Sequence, residues 1–169
     1  PLPGPEYPFR EEVHMPARNL EEYLDNNGVY YHCYNHPPAV TASEVAQSAH
    51  IPGRHMAKTV IVDVDGDLTM AVLPANQYLD PEKLRQALNA DSVRLANETE
   101  FEDRFPLCET GGEPPFGNLY GMPVFIDDTL MSEDWIAFNA GTHTEVIKMG
   151  MGDFLRLSDA RTCSFAMLH

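Results

Sequence analysis

The sequence predicts a single α/β domain: a central mixed, largely antiparallel sheet curved toward a barrel, with helices packed around it. Three observations carry that expectation. Segments of strand and helix character interleave along the chain. The clearest strand pair, 59–64 and 68–73, flanks Asp65-Gly66, a dipeptide suited to a tight hairpin, so at least one pairing is antiparallel. The length, 169 residues with 43% apolar content, suffices for one domain with one sizeable core. Interleaving alone would suit a doubly wound parallel sheet; the hairpin favours a mixed one.

The elements follow in order. Residues 1–17 contain Pro1, Pro3, Pro5, Pro8 and Pro16 and read as an extended arm before a folded unit over 18–169, with Met15 a candidate internal start. Asn19 with Glu22 three residues on predicts a helix start, Leu20, Tyr23 and Leu24 give its apolar stripe, and Gly28 follows its last turn. Residues 29–34 read as a strand stopped by His36-Pro37-Pro38. Thr41 and Glu44 form a capping box for a short helix reaching His50, closed by Pro52-Gly53. In the hairpin, the first arm is apolar on both faces and so belongs inside the sheet. Asp80-Pro81 opens a helix through Leu88, 93–95 reads as a short strand, and Asn97 with Glu100 caps a helix stopped by Pro106. Residues 107–121 form a long Gly/Pro loop, which in a compact domain is more often functional than idle. Strands at 124–127, 135–139 and 145–149 and a short helix around Phe154, Leu155 and Leu157 complete the chain. Asp127 and Asp128 read as turn acids.

Composition narrows the chemistry. A net charge of −15 opposes broad attachment to nucleic-acid backbone, though not a local basic pocket drawn from Arg54, Lys58, Arg85, Arg94 and Lys148. Cys33, Cys108 and Cys163 are widely spaced with no C-x-x-C pair, so neither a zinc site nor a disulfide framework is expected, and a reducing, cytoplasmic setting fits. His32, His36, His50, His55 and His143 lack metal-ligand spacing; no metal and no cofactor are expected. There is no G-x-S-x-G elbow, no P-loop and no G-x-G-x-x-G. No apolar run approaches the ~18 residues of a membrane span, and no leader resembles a signal peptide.

Three segments hold candidate site residues. Lys58 begins the buried first arm of the hairpin, in His55-Met-Ala-Lys58-Thr-Val-Ile-Val62. Burying an ammonium is costly unless an anion or carbonyls receive it, so Lys58 either snorkels, pairs structurally or awaits a ligand. Arg54 and His55 precede it, as pocket-mouth or solvated loop residues. The second segment is Gly111-Gly112-Glu-Pro-Pro115-Phe116-Gly117, where glycines let backbone approach a ligand and prolines stiffen the loop. The third is 138–145, where Ala140 and Gly141 end a strand and Thr142, His143 and Thr144 crowd polar groups; a turn role for His143 is equally open.

In this order, these segments resemble the YbaK family, which includes the editing domain inserted in bacterial prolyl-tRNA synthetases. The resemblance runs from about Leu20 to about Leu157. It implies that Lys58 is the essential residue of deacylation and that Gly111, Gly112, Pro115 and Phe116 position the aminoacyl group. Gly141, Thr142 and His143 would complete the pocket, with Arg54 and His55 at its mouth. The implied activity is a free-standing aminoacyl-tRNA deacylase in which water, and no protein nucleophile, attacks the ester. Its implied partner is the acceptor end of a mischarged tRNA, with a synthetase or elongation factor as further partners. Val40, Ala42, Ile61 and Phe116 are candidate pocket walls. All three segments should converge on one cleft. Two other classes stay open: a hydrolase of small amino-acid esters, and a non-catalytic sensing domain.

Overall fold

The computed structural model of the chain describes residues 15–37, 41–106 and 108–168. Its elements are α1 (Met15–Asn26), β1 (Tyr31–Asn35), α2 (Ala42–Ser48), β2 (Ala57–Val64), β3 (Asp67–Pro74), β4 (Gln77–Leu79), α3 (Pro81–Leu88), β5 (Val93–Leu95), α4 (Glu98–Phe101), β6 (Val124–Asp127), β7 (Trp135–Asn139), β8 (Glu145–Gly150), α5 (Met151–Ser158), β9 (Arg161–Cys163) and β10 (Ala166–Leu168). Short 3-10 turns occupy Glu102–Arg104, Gly117–Leu119 and Asp128–Ser132.

The β2–β3 hairpin organises the larger sheet. Asp65 and Gly66 both take left-handed backbone, with φ of 52° and 95°, the requirement for a two-residue turn that matches strand twist. The register then runs from Val64↔Asp67 to Ala57↔Pro74. β5 joins β2 antiparallel, while β6 lies parallel to β3 and β9 parallel to β6. The result is a five-stranded mixed sheet in the order β5-β2-β3-β6-β9. A second, antiparallel sheet has the order β1-β8-β7, and β4 pairs with β10. The two larger sheets touch through a parallel bridge between Met56 and Ala137. The α/β class and mixed sheet agree with the sequence; among the described residues the strands form three sheets and no closed barrel.

Strand alternation explains the doubly apolar first arm. Ala57 and Ile61 face the main core with Met70, Val72, Phe138 and Phe154, while Val62 faces a second cluster with Leu73, Leu84 and Phe165. Burial on both faces leaves no solvated side for a polar stripe. Local caps hold as the sequence predicts: Thr41 and Glu44 exchange reciprocal hydrogen bonds of 3.1 and 3.0 Å, and Asp80 caps α3 ahead of Pro81. No helix among the described residues is long and apolar enough to cross a membrane.

Three expectations need correcting. α1 starts at Met15, so Asn19 lies inside the helix and 15–17 belong to it; Pro16 in the first turn is compatible, since its missing N–H would have had no helical partner. Residues 1–14 lie outside the described residues. The three-residue strands β4, β9 and β10 are too short to show periodicity. Asp127 is more than a turn acid. It caps the turn through Thr129, whose N–H and hydroxyl donate to it, and also accepts the Phe165 and Ala166 N–H groups at 2.7 Å each. A carboxylate thereby fastens the C-terminal segment to β6.

Burial raises the pKa of Asp127, but its hydrogen bonds from Thr129, Phe165 and Ala166 outweigh this and hold it below the ordinary carboxylate value. A depressed folded pKa contributes stability above the unfolded value and loses it as pH falls through the folded one. Asp127→Ala should therefore cost roughly 2–3 kcal/mol at pH 7. The gap from wild type should narrow as pH drops below about 3.9. Urea unfolding of both proteins across that range checks this; a gap that does not vary with pH would contradict it.

Candidate active site at the glycine loops

The two glycine segments are laced together by backbone. Glu109 N–H donates to the Gly141 carbonyl at 2.9 Å, and Gly141 N–H donates to the Gly112 carbonyl at 2.8 Å. His143 N–H donates to a Glu109 carboxylate oxygen at 2.6 Å. A Cβ on Gly112 would lie 3.1 Å from both the backbone N and C of Thr142, so only glycine permits this approach without displacement. Gly111 is held from both ends: Asn139 Nδ2 donates to its carbonyl at 3.4 Å, and its N–H donates to Glu113 Oε2 at 3.3 Å. Thr142 Oγ1 donates to Glu145 Oε1 at 3.1 Å.

Beside this pair lies a hollow of about 230 Å³. Thr59, Val60 and Ile61 of β2 line one side, and Thr110, Gly111 and Glu113 the other. The hollow exists because β5 covers only Val62–Val64 of β2, leaving the earlier part of that edge to the loop. A neighbouring hollow of about 330 Å³ shares Thr110 and Glu113 and adds Glu98, Glu102 and Asp103. Glu113 is 7% exposed. Burial raises its pKa, against the backbone N–H groups and His143, which lower it.

Lys58 is half-buried, and burial lowers its pKa. Alternation turns its side chain away from the face of Thr59 and Ile61. Its ammonium lies 5.3 Å from the Tyr78 ring centroid, and no hydrogen bond or ion pair reaches it among the described residues. The parallel bridge Met56↔Ala137 sets Lys58 and Asn139, each two residues further on, at corresponding places on their strands. Asn139 is the residue whose amide holds Gly111.

The other sequence candidates divide. Gly111, Gly112, Gly141, Thr142 and His143 come together. Arg54 and His55 are engaged elsewhere. Arg54 is exposed, with Nε 3.7 Å from Glu133. His55 stacks on Trp135 with ring centroids 3.7 Å apart; its Nδ1 is 3.1 Å from the Trp135 carbonyl and its Nε2 is 3.2 Å from Glu133. That imidazole pins the start of β7 to the segment before β2. Phe116 is wholly buried among Tyr23, Phe138 and Phe154, so it anchors the loop in the core and walls no pocket. Pro115 is buried beside it. Ile61 lines the hollow, Ala42 packs on the smaller cluster under α2, and Val40 lies outside the described residues. Sequence reasoning missed Glu113, Asn139 and Glu109. Glu113 sits inside the string that drew attention, but that string stands out for its glycines and prolines.

Comparison with known proteins agrees with this architecture. Residues 36–157 match the aminoacyl-tRNA editing domain. The proline–tRNA ligase of Oleidesulfovibrio alaskensis is 26% identical over 140 residues, covering 75% of this chain and 24% of the ligase. That of Nitratidesulfovibrio vulgaris is 30% identical over 117 residues, covering 67% of this chain and 20% of the ligase. The chain thus spans about a quarter or less of the length of these curated relatives. Two solved structures share the fold. One, a candidate trans-editing enzyme for prolyl tRNA synthetase, has a TM-score of 0.77 at 20% identity, covering 90% of this chain and 97% of its own. The other, a hypothetical protein, has a TM-score of 0.78 at 19% identity, covering 88% and 99%. With the match extending from the end of β1 to the last turn of α5, the chain belongs to the aminoacyl-tRNA editing domain family.

Proposed function

We propose that the protein is a trans-acting deacylase that hydrolyses the ester of mischarged aminoacyl-tRNA, receiving the acceptor end of the tRNA at the glycine loops. The observation that carries this reading is the fusion of 109–112 with 141–143 beside a hollow on β2. Such a site offers fixed backbone dipoles at close range, which suits catalysis by positioning and electrostatics. Lys58 is the proposed catalytic residue, acting from the side of β2 opposite Thr59 and Ile61, level with Asn139, whose amide holds the Gly111 carbonyl. It is a half-buried cation with no carboxylate partner among the described residues, suited to an anionic group of the terminal nucleotide or to charge developing on the ester oxygen. Water is the proposed nucleophile. Partial desolvation together with the nearby carboxylates of Glu21 and Glu145 pushes the Cys33 thiol up to about 12, and burial pushes that of Cys108 up to about 11, which keeps both protonated and poorly nucleophilic at neutral pH. The hollow's size would set discrimination, since one methylene is worth only about 1–3 kcal/mol.

The net charge of −15 works against a tRNA-wide footprint, so contact is proposed to be confined to the acceptor end, with a synthetase or elongation factor presenting the substrate in the cytoplasm. One observation favours the second reading, hydrolysis of small amino-acid esters. The larger neighbouring hollow is rimmed by Glu98, Glu102 and Asp103, which would repel phosphate.

Three outcomes test the proposal. On a mischarged tRNA that the wild type deacylates, Lys58→Ala should lose about a hundredfold or more in rate while keeping its circular dichroism, because an electrostatic contact of this kind is worth about 3 kcal/mol. Cys33→Ala, Cys108→Ala and Cys163→Ala should each keep most of the activity; a folded but inactive cysteine variant would point to thiol catalysis. Gly112→Ala should push 141–143 away, costing about 1–3 kcal/mol in urea unfolding and most of the turnover. Wild-type hydrolysis of a free aminoacyl ester at the rate of the same aminoacyl-tRNA would favour the small-molecule reading.

A further inference from the structure

Two buried polar atoms of the described residues that have no hydrogen-bond partner belong to the third glycine segment and the strand leading into it: Asn139 Oδ1 and His143 Nδ1. Asn139 is 5% exposed, and its Nδ2 is committed to the Gly111 carbonyl, which fixes Oδ1 close to Gly111. The N–H of the same glycine donates to Glu113, whose carboxyl is itself buried and lines both hollows. The backbone of His143 is fixed beside the loop, its N–H donating to Glu109. An amide oxygen and a carboxylate thus flank Gly111 with accepting capacity unused, and an unpartnered imidazole nitrogen belongs to the segment fused to that loop.

Leaving buried acceptors without donors is costly, and a buried carboxylate without a cation more so. The complement to such a set is a compact cation carrying several N–H donors. A primary ammonium has three and no acceptor. Lys58 does not supply it, since its ammonium lies over Tyr78. Every unblocked aminoacyl group except prolyl carries one.

We infer that Glu113, Asn139 Oδ1 and His143 Nδ1 form a seat for a primary ammonium and that, resting on the deacylase reading above, the occupant is the free α-amino group of the aminoacyl moiety. Glu113 supplies the charge. Asn139 accepts through Oδ1, and His143 accepts through Nδ1 in the tautomer that carries its proton on Nε2. The seat makes Glu113 a specificity-determining residue: it selects free aminoacyl esters over N-blocked ones, which present neither the charge nor the three donors.

The test uses the full chain and a non-hydrolysable mimic of a charged terminal adenosine, 3′-(L-alanylamino)-3′-deoxyadenosine, with its N-acetyl counterpart, by isothermal titration calorimetry. The wild type should bind the free amine at least roughly tenfold more tightly than the acetylated form, the size expected of a charge-assisted hydrogen bond. Glu113→Gln should bring the two within about threefold of each other, by weakening the amine and leaving the acetylated form unchanged. Equal binding of both by the wild type, absence of amine binding, or an intact preference in a folded Glu113→Gln protein would overturn the seat. The wild-type comparison decides even if that variant does not fold. Hydrolysis separates this inference from the activity it rests on. A wild type that cleaves L-alanyl-tRNA and N-acetyl-L-alanyl-tRNA equally well overturns the seat and leaves the deacylase reading standing. A wild type that cleaves no mischarged tRNA across a panel of amino acids, yet prefers the amine mimic, upholds the seat and removes the deacylase reading.

Discussion

The close approach of Gly112 to the backbone of Thr142 is the constraint on which the site depends. Two irregular segments meet with no side chain between them, at a distance where a single Cβ would sit 3.1 Å from main-chain atoms. That contact lets Gly141 donate its N–H to the Gly112 carbonyl and accept the Glu109 N–H, hydrogen bonds of sheet quality outside any strand. The consequence spreads outward. The 140–144 turn closes β7 onto β8, with Ala140 N–H donating to the Glu145 carbonyl, so fixing Gly141 fixes the end of that hairpin. β7 is in turn fastened to the start of β2 by the Met56↔Ala137 bridge and by His55 stacked on Trp135. The hollow is lined by Thr59, Val60 and Ile61 of β2 as well as by the loop, so its geometry is inherited from a rigid strand and not from the loop alone.

Charge is distributed so that few cations stay uncommitted. Arg94 is held by Glu100 and Asp63, Arg85 by Glu82, Arg156 by Asp153 and Arg54 by Glu133. Lys58 and Lys148 instead lie against aromatic rings, those of Tyr78 and Trp135. Exposed pairs of the first kind contribute little to stability and mainly neutralise the arginines locally. A cation over a ring keeps its charge available to an incoming anion, because the ring quadrupole is a weak partner beside phosphate or carboxylate. On a chain of net charge −15, that difference decides where an anionic group can approach.

Much of the scaffold was legible in the sequence because its signals are local. Asp65-Gly66 demands left-handed backbone, Thr41 and Glu44 cap each other, and Asp80-Pro81 starts a helix; none of these needs knowledge of the rest of the fold. The start of α1 was misplaced because Asn19 favours a cap over the helix interior it occupies here, and nothing local shows that the helix has already begun. β9 and β10 were missed because nothing local marks 161–163 or 166–168 as strands, and they exist through tertiary ties such as Asp127 to Phe165 and Ala166. At the site, the glycines could be read, since their conformational demands are their own. Asn139 and Glu113 could not, because what singles them out is a shared partner, Gly111, 28 residues from the first and two from the second. The commitment of His55 to Glu133 and Trp135 was hidden for the same reason.

Phe116 and Glu113 show how one short string serves two ends. From Phe116 onward it is an anchor: the ring is fully buried, and a Cβ on Gly117 would lie 2.7 Å from the Met122 carbonyl oxygen, so the chain there is packed backbone against core. From Glu113 backward it lines the hollow: Gly111 is exposed and both of its backbone polar groups are held by side chains. Pro114 and Pro115, both buried, join the halves with fixed φ and no N–H to satisfy. A long loop would ordinarily lose too much order to position a reacting group. Here the loop is clamped in the core at one end and fused to 141–143 at the other, so its ordering cost is met in folding and not at the moment a ligand binds. A residue read from the sequence as part of the pocket, Phe116, is what holds still the loop residues that line the hollow, Glu113 and Gly111, three and five residues earlier.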